Sequence, residues 1–130
     1  MKKIFVLIFL ASLLLSLTSC TIGIFFTLHF TETTDVISVR TGQYFTITLT
    51  ENPSTGYLWE GPFIEDESIV RLVLASRGKS IETIPNVGEP TESTWEFEAL
   101  SPGTTTITFR YERPWETIPI KTKIFSVYVR

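Results

Sequence analysis

The chain contains one cysteine, Cys20, and one histidine, His29, in 130 residues. A chain with one cysteine cannot form an internal disulfide, so its fold must be stabilised by a hydrophobic core. Zinc sites need histidines and cysteines at short spacing, and that spacing is absent. A serine nucleophile would need His29 as its base, but this histidine lies in an apolar run, which favours an edge strand or a tether. The sequence therefore predicts a protein that is not an enzyme and uses no metal or cofactor.

Clustered positive charge is lacking as well. The 11 lysines and arginines are outnumbered by 14 aspartates and glutamates, the net charge is −3, and no basic run occurs. Contacts with phosphate need clustered basic side chains, so nucleic acid is not an expected partner. The chain also lacks an amphipathic helix of useful length, an internal repeat and a low-complexity segment.

The N-terminus has the pattern of a secretory signal. Two lysines open the chain, residues 4–17 are an almost unbroken apolar run, and Leu17-Thr18-Ser19 precedes Cys20. Such segments are removed on export, so residues 1–19 are excluded from the fold. The site before Cys20 resembles the bacterial lipobox. This resemblance implies that Cys20 is diacylated and anchors the exported protein to the cell envelope, on its periplasmic or extracellular face.

Two alternatives for this segment remain open. One is an ordinary signal peptide followed by an incidental cysteine. The other is an uncleaved membrane anchor, since apolar residues resume at 22–26. Against the anchor, the apolar run before Thr18 is short for a membrane span, which needs about 20 residues.

Beyond the signal, the sequence alternates with the period of β-strands. Clear strands are predicted at residues 44–50, 95–99, 105–111 and 124–129, and weaker strands at 36–40, 57–60 and 70–75. Turn signals separate them, among them Gly61-Pro62 and Ser101-Pro102-Gly103. About seven short strands at this spacing predict an all-β antiparallel β-sandwich. We expect one domain over residues 36–130, a tether over residues 20–35, and Trp95 in the core because it alternates with Phe97.

Two short loops between predicted strands are the strongest functional signals. The first is Asn52-Pro53-Ser54-Thr55-Gly56-Tyr57. Pro53 fixes its own φ, and Gly56 can adopt conformations that other residues avoid. Ser54 and Thr55 are small and are expected at the tip. A stiff loop of this kind loses little entropy on binding, although a hairpin turn without a partner would look the same.

The second loop is Arg113-Pro114-Trp115. Tryptophan and arginine are the residues most enriched at binding hot spots. The alternative is that Trp115 covers the end of the core while Arg113 pairs with Glu112 or Glu116. Between the two loops, residues 76–93 predict a long connection, and loops of that length in a compact domain are usually functional or disordered.

Together the two loops resemble the chagasin-type inhibitors of papain-like cysteine peptidases. That family carries Asn-Pro-x-Thr-Gly-aromatic early, Gly-x-Gly-Gly in the middle and Arg-Pro-aromatic late. Residues 52–57 match the first motif, and residues 113–115 match the last. The middle motif departs from the pattern, because Gly88-Glu89-Pro90-Thr91 stands in its place and only Gly88 matches.

The resemblance implies an immunoglobulin-like sandwich with three loops at one end. In such inhibitors the first loop lies over the active-site cysteine of the peptidase, the other two hold the cleft on either side, and inhibition is reversible and non-covalent. The implied partner is a papain-like cysteine peptidase, and the protein is expected to be a monomer. The implied peptidase-binding residues are Asn52, Pro53, Ser54, Thr55, Gly56, Tyr57, Gly88, Arg113, Pro114 and Trp115. The altered middle motif keeps open a structural or adhesive immunoglobulin-like lipoprotein without inhibitory activity.

Overall fold

The computed structural model describes residues 26–78 and 89–130. The predictions for the signal peptide, Cys20 and Gly88 lie outside these residues. The described chain forms eight strands and one 3-10 turn, Pro53–Thr55. The strands are β1 (Leu28–Thr31), β2 (Val36–Val39), β3 (Tyr44–Glu51), β4 (Leu58–Ile64), β5 (Val70–Ser76), β6 (Thr91–Ala99), β7 (Gly103–Glu112) and β8 (Lys121–Val129).

The strands form two four-stranded sheets, in the orders β1-β3-β6-β5 and β2-β8-β7-β4. The predicted immunoglobulin-like sandwich is confirmed. Its inner pairings are antiparallel, but β1 pairs with β3 and β2 pairs with β8 in parallel. These two edge strands come from one N-terminal segment that changes sheet at residues 32–35. The sandwich thus includes β1, which lies in the segment predicted as a tether. His29 lies on this edge strand, with its Nδ1 2.6 Å from Thr46 Oγ1.

The core lies between the two sheets, where the alternation of β3, β6, β7 and β8 directs apolar side chains inward. The edge strand β5 buries only Val70. Phe45 stacks on Phe97 with 5.3 Å between ring centroids, and Trp95 packs on Phe109 at 4.7 Å. Trp95 is only 1% exposed, so its predicted place in the core is confirmed. Phe45 and Phe97 are neighbours on paired strands of one sheet, whereas the contact of Trp95 with Phe109 joins the two sheets.

The turn predicted at Gly61-Pro62 is wrong, because β4 continues through it to Ile64. The pairing of β4 with β7 shifts register between Glu60 and Phe63, so the Gly-Pro pair is accommodated as a bulge. A proline within a strand is tolerated at a sheet edge, and β4 is an edge strand. Gly61 is needed there, since a Cβ would lie 2.9 Å from the carbonyl oxygen of Thr108.

Helices contribute almost nothing to the described residues. No helix within 26–78 or 89–130 is long and apolar enough to cross a membrane.

Removing the Trp95 ring should leave a cavity at the centre of the sandwich. We expect Trp95→Ala to lower the free energy of unfolding by about 3–5 kcal/mol. The control is Ile124→Ala, because Ile124 is 52% exposed on β8, and this change should stay within about 0.5 kcal/mol. Urea denaturation followed by circular dichroism measures both, and equal stability of the two variants would contradict this description of the core.

Candidate functional site

The ends of four strands bring three connections together. Glu51, the last residue of β3, pairs with Thr91, the first residue of β6. Leu58, the first residue of β4, pairs with Glu112, the last residue of β7. The segments that leave from these positions therefore emerge at the same end of the sandwich.

These segments are the two predicted loops and the long connection between β5 and β6. We call them the first loop (residues 52–57), the middle connection (residues 77–90) and the last loop (residues 113–120). Gly88, the predicted contact in the middle connection, lies outside the described residues. The site is therefore described from the first and last loops and from the residues that hold them.

The first loop is closed by its own hydrogen bonds. The backbone N–H groups of Thr55 and Gly56 donate to the carbonyl oxygens of Asn52 and Pro53, at 3.1 and 3.0 Å. The Thr55 hydroxyl also donates to the Asn52 carbonyl oxygen at 2.7 Å, and the Ser54 hydroxyl donates to Asn52 Oδ1 at 2.5 Å. The tip is exposed, yet its hydroxyls already stabilise the loop. Little further ordering is needed when a partner binds.

Trp115 of the last loop packs against the backbone of the first loop at Gly56. Gly56 has φ +80° and ψ −1°, a left-handed conformation that favours glycine. A Cβ at this position would lie 2.8 Å from Trp115 Cη2. Only glycine satisfies both the backbone conformation and the close approach of the ring. Trp115 nevertheless stays 70% exposed, so its ring is presented at the surface and does not belong to the core.

Arg113 joins the two loops. Its Nε donates to the carbonyl oxygen of Thr55 at 3.0 Å, and its guanidinium lies 4.2 Å above the ring of Tyr57. Its Nη1 donates to Glu116 Oε1 at 3.1 Å, and the Tyr57 hydroxyl donates to Glu116 Oε2 at 3.5 Å. The Arg113–Glu116 pair is about one-third exposed, so the ion pair itself contributes little free energy. The pair acts mainly by orientation, because it holds the Arg113 guanidinium in a position that contacts both loops.

A tyrosine on β7 supports this arrangement from below. The hydroxyl of Tyr111 accepts a hydrogen bond from the backbone N–H of Asn52 at 3.0 Å. Its ring lies 5.6 Å from that of Tyr57 and 4.9 Å from that of Trp59. Tyr111 thus connects the first loop to the strand from which the last loop leaves.

A buried carboxylate holds the root of the first loop. Glu51 is only 3% exposed, and its Oε2 accepts from the backbone N–H of Trp59 at 3.1 Å. Its Oε1 accepts from the Ser93 hydroxyl at 2.6 Å, and Ser93 Oγ accepts from the N–H of Gly78 at 3.3 Å. A buried polar group is tolerated when it is hydrogen-bonded in this way. The network links β3, β4, β6 and the start of the middle connection.

The polar side chains of the first and last loops are largely engaged with one another. The carboxylate of Glu116 already accepts from Arg113 and Tyr57, and the hydroxyls of Ser54 and Thr55 are used within the first loop. No hydroxyl of the first loop is paired there with a histidine that could activate it. Across the described ranges, no group of histidine, cysteine and acidic side chains could hold a metal ion.

A family model described as "Chagasin family peptidase inhibitor I42" matches residues 38–129. The chain belongs to the chagasin family. The matched region runs from within β2 to the end of β8, so it contains the first loop, the middle connection and the last loop. By this description, the members of the family are peptidase inhibitors.

Known proteins similar to this chagasin-family chain include inhibitors from an amoeba. Amoebiasin-2 of Entamoeba histolytica is 35% identical over 88 residues, which cover 65% of this chain and 68% of that protein. The crystal structure of the cysteine protease inhibitor EhICP2, from the same organism, is 30% identical with a TM-score of 0.62 and covers 80% of this chain and 95% of that one. A structure of PbICP-C in complex with falcipain-2 is 24% identical with a TM-score of 0.52 over 80% of this chain and 91% of that one, a likeness that shows the fold alone.

The sequence indicated both loops but not the residues that hold them. Glu51 continues the inward positions of Phe45, Ile47 and Leu49, so its burial was readable from the alternation of β3. The predicted alternative for the last loop is half right: Arg113 does pair with Glu116, but the exposed Trp115 does not cover the core. The hydroxyl contact of Tyr111 with the first loop had no signal in the sequence.

Two glycines allow the contact between the loops to be tested. Gly42 has φ +81°, close to that of Gly56, but a Cβ there would meet nothing within 4 Å. We expect Gly42→Ala and Gly56→Ala to share a backbone cost of about 1–2 kcal/mol of unfolding free energy. Only Gly56→Ala should also displace Trp115, and the NMR signal of the Trp115 indole N–H should therefore shift in that variant alone. An unshifted signal would show that the ring does not pack on the first loop.

Proposed function

We propose that this protein inhibits a papain-like cysteine peptidase reversibly and without covalent chemistry. The first loop enters the active-site cleft, and the last loop holds the cleft on one side. The peptidase remains intact, and the inhibitor is not cleaved.

Membership of the chagasin family supports a peptidase as the partner. The cysteine protease inhibitor EhICP2, 30% identical to this chain, supports the cysteine class. PbICP-C, a protein of the same fold, has a structure in complex with falcipain-2. These relatives support a cysteine peptidase as the class of target, and experiment must identify the particular enzyme.

The observation that carries the proposal is the joining of the first and last loops by Arg113. Its contacts with Thr55, Tyr57 and Glu116 exist before any partner is bound. Binding by preformed loops avoids much of the cost of ordering the chain at the interface. The exposed ring of Trp115 then adds an apolar contact of the kind that dominates interface energies.

The direct test is an active-site titration. Papain and cathepsin L are incubated with equimolar purified protein at micromolar concentration, and residual activity is measured with a fluorogenic substrate. We expect activity to fall and to return on dilution, with the inhibitor intact by mass spectrometry. Full activity of both enzymes under these conditions would overturn the proposal, and a cleaved inhibitor would show a substrate-like mode of binding.

Trp115 should contribute to binding far more than to folding, because its ring is exposed. Truncation of an aromatic hot spot costs about 2 kcal/mol of binding energy, so Trp115→Ala should weaken inhibition by roughly thirtyfold. The inhibition constant and the melting temperature are measured together. A variant that melts early but inhibits normally once folded would show that Trp115 is a structural residue.

Thr55 should act through its small size in a narrow cleft. Since its hydroxyl also stabilises the first loop, Thr55→Ala is the matched control for the lost hydrogen bond. We expect Thr55→Arg to abolish inhibition at concentrations where Thr55→Ala still inhibits, because only arginine adds bulk at the tip. Equal inhibition by the two variants would mean that the tip does not enter a confined site.

We also propose that Cys20 carries a lipid anchor and takes no part in inhibition. The support is the lipobox-like sequence Leu17-Thr18-Ser19 before Cys20. In a bacterial host, globomycin should cause the precursor to accumulate, and Cys20→Ser should release the protein or block its processing. Unchanged mobility and membrane fractionation of Cys20→Ser would instead support an uncleaved anchor.

A further inference from the structure

The last loop carries more apolar surface than the Arg-Pro-Trp motif accounts for. Among the described residues, the three most exposed large apolar side chains are Ile118, Phe26 and Trp115, at 76, 72 and 70%. Ile120 follows in the same loop at 59%. Three large apolar side chains thus project from six consecutive residues, 115–120. Exposed apolar patches with polar surroundings commonly mark interaction sites.

The backbone of this loop is held at both ends. The N–H of Glu116 donates to the carbonyl oxygen of Arg113 at 2.9 Å, and the N–H of Ile120 donates to the carbonyl oxygen of Tyr111 at 3.0 Å. Pro119 restricts the backbone between them. Ile118 and Ile120 therefore project from a closed loop, and their exposure is a property of its shape.

Ile118 shares a surface with Trp115, and Ile120 follows two residues later in the same loop. A shallow concavity of about 340 Å³ is lined by Trp115, Glu116, Thr117 and Ile118. Residues 117–120 carry no ionisable side chain, and the carboxylate of Glu116 is paired with Arg113. Residues 115–120 therefore carry no unpaired charge. The concavity combines the apolar side chains of Trp115 and Ile118 with the polar residues Glu116 and Thr117, and it would be poorly matched to a charged partner surface.

We propose that Ile118 and Ile120 form a second contact with the target peptidase, on an apolar surface that flanks its cleft next to the site of Trp115. This proposal rests on the proposed inhibitory function. The concavity that Ile118 shares with Trp115 selects the peptidase as the occupant, because a partner that buries Trp115 reaches Ile118 across it. Ile120 lies in the same closed loop, two residues beyond Ile118. This contact would favour peptidases with an apolar flank over peptidases with a charged one.

The test compares Ile118→Ser, Ile120→Ser and the double variant in the full-length protein, with inhibition constants measured against papain and cathepsin L. Full burial of an isoleucine corresponds to roughly tenfold or more in affinity. We expect the double variant to lose at least tenfold against one or both enzymes, with an unchanged melting temperature. Ile118→Leu keeps the apolar surface, so its inhibition constants should stay within about threefold of those of the parent protein.

Ile124→Ser is the matched control, because Ile124 is 52% exposed but lies on β8, outside the last loop. It should leave both inhibition constants unchanged. If the double variant inhibits both enzymes as well as the parent does, the second contact is wrong while the inhibitory function stands. A double variant that inhibits normally but converts a dimer to a monomer in gel filtration would assign this surface to self-association instead. A parent protein that inhibits neither enzyme would overturn the proposed function and this inference with it.

Discussion

The site depends on the contacts of one guanidinium group. Arg113 uses Nε for the carbonyl oxygen of Thr55, Nη1 for Glu116, and the face of its planar group for the ring of Tyr57. A flexible ammonium group lacks the fixed fork and the flat face that these three contacts use together. The Tyr57–Glu116 hydrogen bond and the packing of Trp115 on Gly56 add to these contacts between the first and last loops. Together these contacts join the two loops into one surface.

The sandwich below supplies fixed points for that surface. Glu51 satisfies donors from Trp59 and Ser93 inside the protein, so the first loop starts from a buried and hydrogen-bonded root. Tyr111 brings the same loop to the strand that precedes Arg113. Both residues are polar groups at the edge of an apolar core. The cost of burying them is offset by bonds that hold the two sheets in one relative position at this end.

The fold was largely predictable because its signal is local. Alternation alone located β3, β6, β7 and β8, and it placed Trp95 of β6 in the core, where the structure has it. The parallel edge pairs were not predictable, since β1 and β2 are short and β2 pairs with β8, a strand distant in sequence. The Gly61-Pro62 turn failed because the same dipeptide fits a bulge in an edge strand.

The site was predictable in its parts but not in its assembly. Pro53, Gly56 and Trp115 were visible as a stiff loop, a flexible backbone position and an aromatic side chain. That Gly56 and Trp115 touch, and that Arg113 bonds to Thr55, depends on the register between β4 and β7, which sequence patterns do not determine. The exposure of Ile118 and Ile120 was not predictable either, because it depends on the hydrogen bond that closes the last loop at Tyr111.

The most direct test of this account is a double-mutant cycle between Arg113→Lys and Tyr57→Leu, measured on the inhibition constant for papain. If the guanidinium acts by holding the first loop through Tyr57 and Thr55, the second substitution removes little that the first has not already removed. The two effects should then depart from additivity by more than about 0.5 kcal/mol. Effects that add within about 0.3 kcal/mol would show that Arg113 and Tyr57 contact the peptidase independently, and would contradict the joined loops as the basis of binding.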